Sequence, residues 1–245
     1  MRNIKLILEY DGSFYHGWQR QLNALTVQEV LETALEKITG ERVKVTGCGR
    51  TDAGVHARAY VCNFRTESKI PPQRLAYALN SVLPEDIVCK ESAEAVMDFD
   101  AKRSAVSKRY TYLICNSEFP DVFMLNRAWH CKNPLDAEKM RLAAQCFVGE
   151  HDFIGFAASG FTVKTTVRTI YSADVKKEND IISIDVCGNG FLYNMVRIIA
   201  GTLAFCGSNR IDWREVPDII ASRDRTRAGM TAPACGLYLS EVTYR

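Results

Sequence analysis

No stretch of about 18 apolar residues occurs in this chain of 245, so a membrane-spanning helix is not expected. The start, Met1-Arg2-Asn3-Ile4-Lys5, passes straight into an alternating pattern and lacks the order of a secretory leader. Nine cysteines stand at 48, 62, 89, 115, 131, 146, 187, 206 and 235, odd in number and without a Cys-x-x-Cys pair. That pattern argues against both a disulfide framework and a zinc site. Reduced thiols and a cytoplasmic location are the plain expectation. Charge of one sign is scarce as well: 31 Lys and Arg against 29 Asp and Glu leave a net charge of +2. A polyanion, if bound, must therefore be held by local patches. His56, His130 and His151 lack metal-ligand spacing, and His56 is expected to order its loop. A dinucleotide fingerprint also fails: Gly47-x-Gly49 begins one, but Asp52 occupies the place of the third glycine.

What is present reads as two successive α+β units, without a low-complexity linker between them. Ile4, Leu6, Leu8 and Tyr10 alternate as a half-buried strand. Thr26-Val27-Gln28-Glu29 is a capping box, and Val27, Val30, Leu31, Ala34, Leu35 and Ile38 then keep helical spacing up to Gly40. Strands are expected over 43–47, 57–64 and 87–95, with a helix over 72–82, which completes a β-α-β-β-α-β order. The second unit has expected strands over 108–114, 166–175, 181–186 and 236–244. Its helices are expected from Asn133-Pro134 to Phe147, over 191–206 and just beyond Pro217. The expected domains are 1–103 and 104–245.

Three segments carry chemistry. In Gly47-Cys48-Gly49-Arg50-Thr51-Asp52-Ala53-Gly54-Val55-His56-Ala57, glycines permit a tight bend that presents Asp52 two residues from Arg50. A neighbouring cation keeps a carboxylate ionised, as a nucleophile or proton acceptor requires. Alternatively, Asp52 only organises the turn by accepting a backbone amide. Arg197 lies within the almost uniformly apolar 191–206 segment. A guanidinium there either faces a cleft floor with an anion opposite, or snorkels to solvent beside Tyr193 and Asn194. In Lys108-Arg109-Tyr110-Thr111-Tyr112-Leu113-Ile114, a strand places Tyr110, Tyr112 and Ile114 on one face and Arg109 and Thr111 on the other. Those tyrosines are either packing aromatics or stacking surfaces for an unstacked base, with cations at hand for phosphates.

Together these segments resemble the TruA family of tRNA pseudouridine synthases. Tyr10-Asp11-Gly12 and Gly17-Trp18-Gln19-Arg20-Gln21 match its opening, and Gly49 to Ala57 its catalytic loop. Lys108 to Tyr112, Gly190-Phe191-Leu192 through Met195-Val196-Arg197 with Gly201, and Ala232-Pro233-Ala234-Cys235-Gly236-Leu237 follow in the family's order. Two departures are Cys48, where alanine is usual, and Ala59-Tyr60-Val61 in place of glycine-glutamine-valine, which puts Tyr60 in line to alter packing or RNA contact.

The resemblance implies two ferredoxin-like, RRM-like units with antiparallel sheets, forming a pseudouridine synthase fold around a central cleft. It implies isomerisation of uridine at positions 38, 39 and 40 of the tRNA anticodon stem-loop, without cofactor, by a homodimer. A same-fold synthase with another RNA target, and less well a binding-only RNA chaperone, are the alternatives. Asp52 matches the essential aspartate, which adds to the ribose C1′ or takes a proton from C2′. Arg197 matches the basic residue paired with it, Tyr110 the tyrosine stacked on the target uracil, and Arg50 the arginine that holds the flipped nucleotide's place. The charge pattern itself nominates phosphate contacts: Lys102-Arg103, Lys108-Arg109, Lys164 to Arg168, and Arg223 to Arg227 with Arg225.

Overall fold

The computed structural model describes residues 1–160 and 163–245. In chain order its elements are β1 (Arg2–Tyr10), α1 (Val27–Thr39), β2 (Thr46–Gly47), β3 (His56–Thr66), α2 (Pro72–Asn80), β4 (Ile87–Ala95) and β5 (Ala105–Cys115). There follow β6 (Trp129–His130), α3 (Ala137–Gln145), β7 (Gly149–Asp152), β8 (Val167–Glu178), β9 (Ile181–Gly188), α4 (Met195–Gly207), α5 (Val216–Ser222) and β10 (Leu237–Tyr244). The chain forms two compact α+β units, Met1–Val106 with Tyr238–Arg245, and Ser107–Leu237.

The first unit has strand order β4-β1-β3, with β2 also paired to β3. All of these pairings are antiparallel, which is the ferredoxin-like arrangement. Ile4, Leu6, Leu8 and Tyr10 of β1 are buried, as their alternation requires. Helix α1 starts where Thr26 accepts the Glu29 amide at 3.4 Å and stops at Gly40, whose φ of 73° is left-handed. Only half of the capping box forms, because the Glu29 carboxylate is 3.5 Å from Arg20. The strand expected over 43–47 shrinks to Thr46–Gly47. Val45 bonds outside any ladder: its amide donates to the Glu32 carboxylate at 3.0 Å and its carbonyl accepts from Gln28 at 3.1 Å. An expected boundary at 103 groups the last strand with the second half; here β10 pairs in parallel with β3, Tyr238 opposite His56 and Leu239 opposite Ala57.

In the second unit the order is β5-β9-β8-β7, with β6 beside β5. Helix α3 begins at Ala137 and not at Asn133-Pro134, because Asp136 caps the amides of Glu138 and Lys139 at 3.0 and 3.1 Å. The residues before it are engaged by Asn116, which bonds the Asn133 carbonyl and the Leu135 amide at 2.8 and 3.1 Å. Helix α4 likewise starts later than the apolar run, at Met195. Asn194 turns left-handed at φ 59°, a conformation that asparagine tolerates, so residues before it cannot continue the helix. Every α4 residue except Arg197 and Phe205 is buried. Gly201 makes that packing possible, since a Cβ there would lie 1.9 Å from the Met230 carbonyl oxygen.

Candidate active site

Asp52 sits in the turn between β2 and β3, half-buried, with Arg50 exposed and Thr51 and Val55 buried around it. The turn itself is closed by the Val55 amide on the Asp52 carbonyl at 3.1 Å. Its conformation is imposed from outside, by residues 10–18. Trp18 donates its amide to the Thr51 carbonyl at 3.2 Å, and Gly54 donates to the Tyr15 carbonyl at 3.2 Å. The Tyr10 hydroxyl and Thr51 Oγ1 are 2.9 Å apart. Two glycines allow this approach: a Cβ on Gly17 would meet the Thr51 carbonyl oxygen at 2.2 Å, and one on Gly12 the Val55 carbonyl oxygen at 2.0 Å. Gly17 also carries φ 82°, which disfavours any side chain.

Tyr60 supports the loop from beneath. Its ring is fully buried and stacks on Trp18 at 4.0 Å, and its hydroxyl donates to the Gly49 carbonyl, next to Arg50. Burial holds that phenol protonated, well above its ordinary range. The sequence left Tyr60 open to RNA contact; with no exposed surface it acts through packing alone. A Cβ on Gly47 would lie 2.1 Å from the Tyr60 hydroxyl and 2.6 Å from Trp18 Nε1, so the glycine makes room for that ring pair. Sequence reasoning read Gly17, Trp18 and Tyr60 only as family matches or departures; their physical role depends on a segment more than thirty residues from Asp52.

In the second unit, Tyr110 and Tyr112 of β5 lie opposite Val186 and Ile184 of β9. Tyr112 is the packing aromatic: it is buried, and its hydroxyl donates to the Pro233 carbonyl at 2.7 Å. Burial raises its pKa strongly, partly countered by the Arg197 charge. Tyr110 keeps partial exposure and meets Phe191 edge-on, ring centres 5.1 Å apart. Lys108 and Arg109 pair in register with Gly188 and Cys187, half-buried on the same strand. Arg197 is half-buried, with Nε donating to the Ala232 carbonyl at 2.7 Å and Nη1 to Asn194 Oδ1 at 2.9 Å. The first bond ties α4 to the 229–236 segment, and the two together fix the guanidinium's direction.

The other nominated cations differ among themselves. Lys164 is exposed. Arg168 is half-buried, bonding the Thr165 and Val167 carbonyls at 2.9 and 2.6 Å, and burial lowers its pKa. It lies beside Gly190, where a Cβ would stand 3.6 Å from its Nε, and so adjoins the Phe191 that meets Tyr110. Arg225 bonds the Gly229 carbonyl at 2.9 Å and Thr231 Oγ1 at 3.2 Å, so its guanidinium shapes the same segment that receives Arg197. Asp52 and Arg50 thus lie on the first unit, and Tyr110, Arg197, Lys108, Arg109, Lys164, Arg168 and Arg225 on the second. Among the described residues no three His, Cys, Asp or Glu side chains are grouped to hold a metal ion. Among them, too, no helix is long and apolar enough to cross a membrane.

The sequence model for tRNA pseudouridine synthase matches residues 6–102 and 143–245. The chain belongs to that family. Proteins named tRNA pseudouridine synthase A from Acetivibrio thermocellus and Ruminiclostridium cellulolyticum are each 54% identical to this family member, over 100% of both chains. One from a Thermoanaerobacter strain is 51% identical, again over 100% of both. Of solved structures, a chain in an archaeal box H/ACA sRNP Nop10–Cbf5 complex matches 82% of this synthase-family chain and 42% of its own, at TM-score 0.40 and 10% identity.

Proposed function

We propose that this chain isomerises uridine to pseudouridine at positions 38, 39 and 40 of the tRNA anticodon stem-loop, with Asp52 as the catalytic carboxylate. The observation that carries the reading is the Asp52 turn, clamped by residues 10–18 in a chain whose full-length relatives bear the name tRNA pseudouridine synthase A. A uridine in a stem is shielded by its neighbours, so it must be turned out of the helix, at a cost of a few kcal/mol. Arg50, exposed beside Asp52, fills the place the base leaves. Tyr110 supplies the stacking surface for the uracil, its ring braced by Phe191.

The carboxylate of Asp52 attacks C1′ of the ribose or removes the C2′ proton, and the N1–C1′ bond breaks. The freed uracil turns and its C5 bonds to C1′, which expels the Asp52 carboxylate on the first route or is followed by return of the proton to C2′ on the second. The C5 proton is then lost to solvent and N1 takes one up. Arg197 is assigned, from the family resemblance, as the basic residue of the reaction, a fixed positive charge of the kind that keeps a carboxylate ionised. Lys108, Arg109, Lys164, Arg168 and Arg225 contribute positive charge along the RNA backbone. The protein works in the cytoplasm as a homodimer, with tRNA bound across both copies and no cofactor.

Tritium release from C5-labelled tRNA tests the assignment. Asp52→Asn should give background release while tRNA binding stays within about threefold, under ~0.7 kcal/mol. Near wild-type release by that variant would refute it. By the family resemblance the Tyr110 hydroxyl also helps to move the C5 proton. Tyr110→Phe keeps the stacking surface but loses that hydroxyl, and a normal product yield there would remove it from the proton step.

A further inference from the structure

His56 follows the Asp52 turn and is almost wholly buried, 2% exposed. Its Nδ1 lies 3.0 Å from the Gly12 amide nitrogen and 3.1 Å from Asp11 Oδ1. One ring nitrogen cannot satisfy both neighbours: bare, it accepts from the amide; protonated, it donates to the carboxylate. Asp11 is already served by the Ser13 amide and hydroxyl at 3.0 and 2.5 Å. Gly12 has its Cα pressed on the Val55 carbonyl, and Val55 in turn closes the turn on Asp52.

We infer that His56 is a positioning residue for Asp52, whose bare Nδ1 latches Gly12 against the turn and whose protonation releases Gly12 in favour of Asp11. The inference rests on Asp52 being the catalytic carboxylate. The charged and titratable groups around the ring set the balance. Asp11 favours the protonated ring. Burial favours the bare one, as does Arg58, whose guanidinium lies 5.2 Å over the Tyr238 ring that itself stacks on His56 at 4.7 Å. Asp86 anchors the Asp11 backbone, its carbonyl taking the Asp11 amide at 2.9 Å, and its carboxylate takes the Tyr15 hydroxyl at 2.6 Å.

The test is turnover of C5-tritiated tRNA from pH 5 to pH 8. The wild type should lose about tenfold in kcat toward the acid end with KM for tRNA unchanged, since misplacement of a reacting group acts on rate. In Asp11→Asn the midpoint of that fall should move about one unit lower, the anion that favours protonation being gone. His56→Gln offers an acceptor that cannot be protonated: it should keep activity at pH 8 within about threefold and lose the acid fall. An unmoved midpoint in Asp11→Asn, or a surviving fall in His56→Gln, overturns the latch. Imidazole nitrogen NMR of the unaltered chain decides the matter even if a variant fails to fold. His56 should carry its proton on Nε2 at pH 8 and gain the second across the same interval, and an Nδ1–H tautomer at pH 8 overturns the inference. Asp52→Asn separates the two claims. Activity in that variant removes the catalytic assignment, whereas a pH-independent His56 removes only the latch.

Discussion

Replacing Gly17 by alanine isolates how far the Asp52 turn depends on residues 10–18. Two penalties are introduced. The first is conformational: at φ 82° a β-carbon costs roughly 1–2 kcal/mol. The second is steric: the new carbon would sit 2.2 Å from the Thr51 carbonyl oxygen, where ordinary contact begins at 3.4 Å. Relief requires Thr51, and Asp52 after it, to retreat by roughly 1 Å, and a misplacement of that size can lower a rate ~100-fold. Gly40→Ala is the matched control. It carries a similar φ of 73°, with nothing within 4 Å of the added carbon. Both variants should therefore lose about 1–2 kcal/mol in urea unfolding from the backbone term. Only Gly17→Ala should lose kcat, by about 10- to 100-fold in single-turnover tritium release. Equal kcat in the two variants would refute the idea that residues 10–18 place the carboxylate.

Other consequences are simpler to read. Tyr60→Phe keeps the stack on Trp18 but strands the Gly49 carbonyl, a loss of about 1–2 kcal/mol that should lower the melting midpoint by ~2–8 °C; an unchanged midpoint argues against that bond. Lys164→Ala should reduce the slope of log tRNA affinity against log salt by about one, and an unaltered slope would take Lys164 out of the RNA contacts.

Elements governed by local rules were legible. Helix α1 is bounded by Thr26 and Gly40, residues whose capping chemistry does not depend on the rest of the fold. Strand β4 begins at Ile87 and ends at Ala95, both as expected. Strand β7 was missed because Gly149-Glu150-His151-Asp152 has no apolar alternation; only its ladder with β8 makes it a strand. The candidate site divides in the same way. Asp52, Tyr110 and Arg197 stand out by residue type and setting. The clamp by residues 10–18, and the engagement of Arg225 with Gly229 and Thr231, are long-range or loop-specific bonds that no periodicity records.

The pairing of β10 with β3 bears on how the protein is made. Residues 1–106 leave the ribosome long before Tyr238, which is needed to cover one face of His56. At ~5–20 residues per second the nascent first half waits on the order of ten seconds for its last strand. Until then one face of the imidazole should stay uncovered, and proteolysis of stalled nascent chains should find the 51–56 segment open until residues 238–245 emerge.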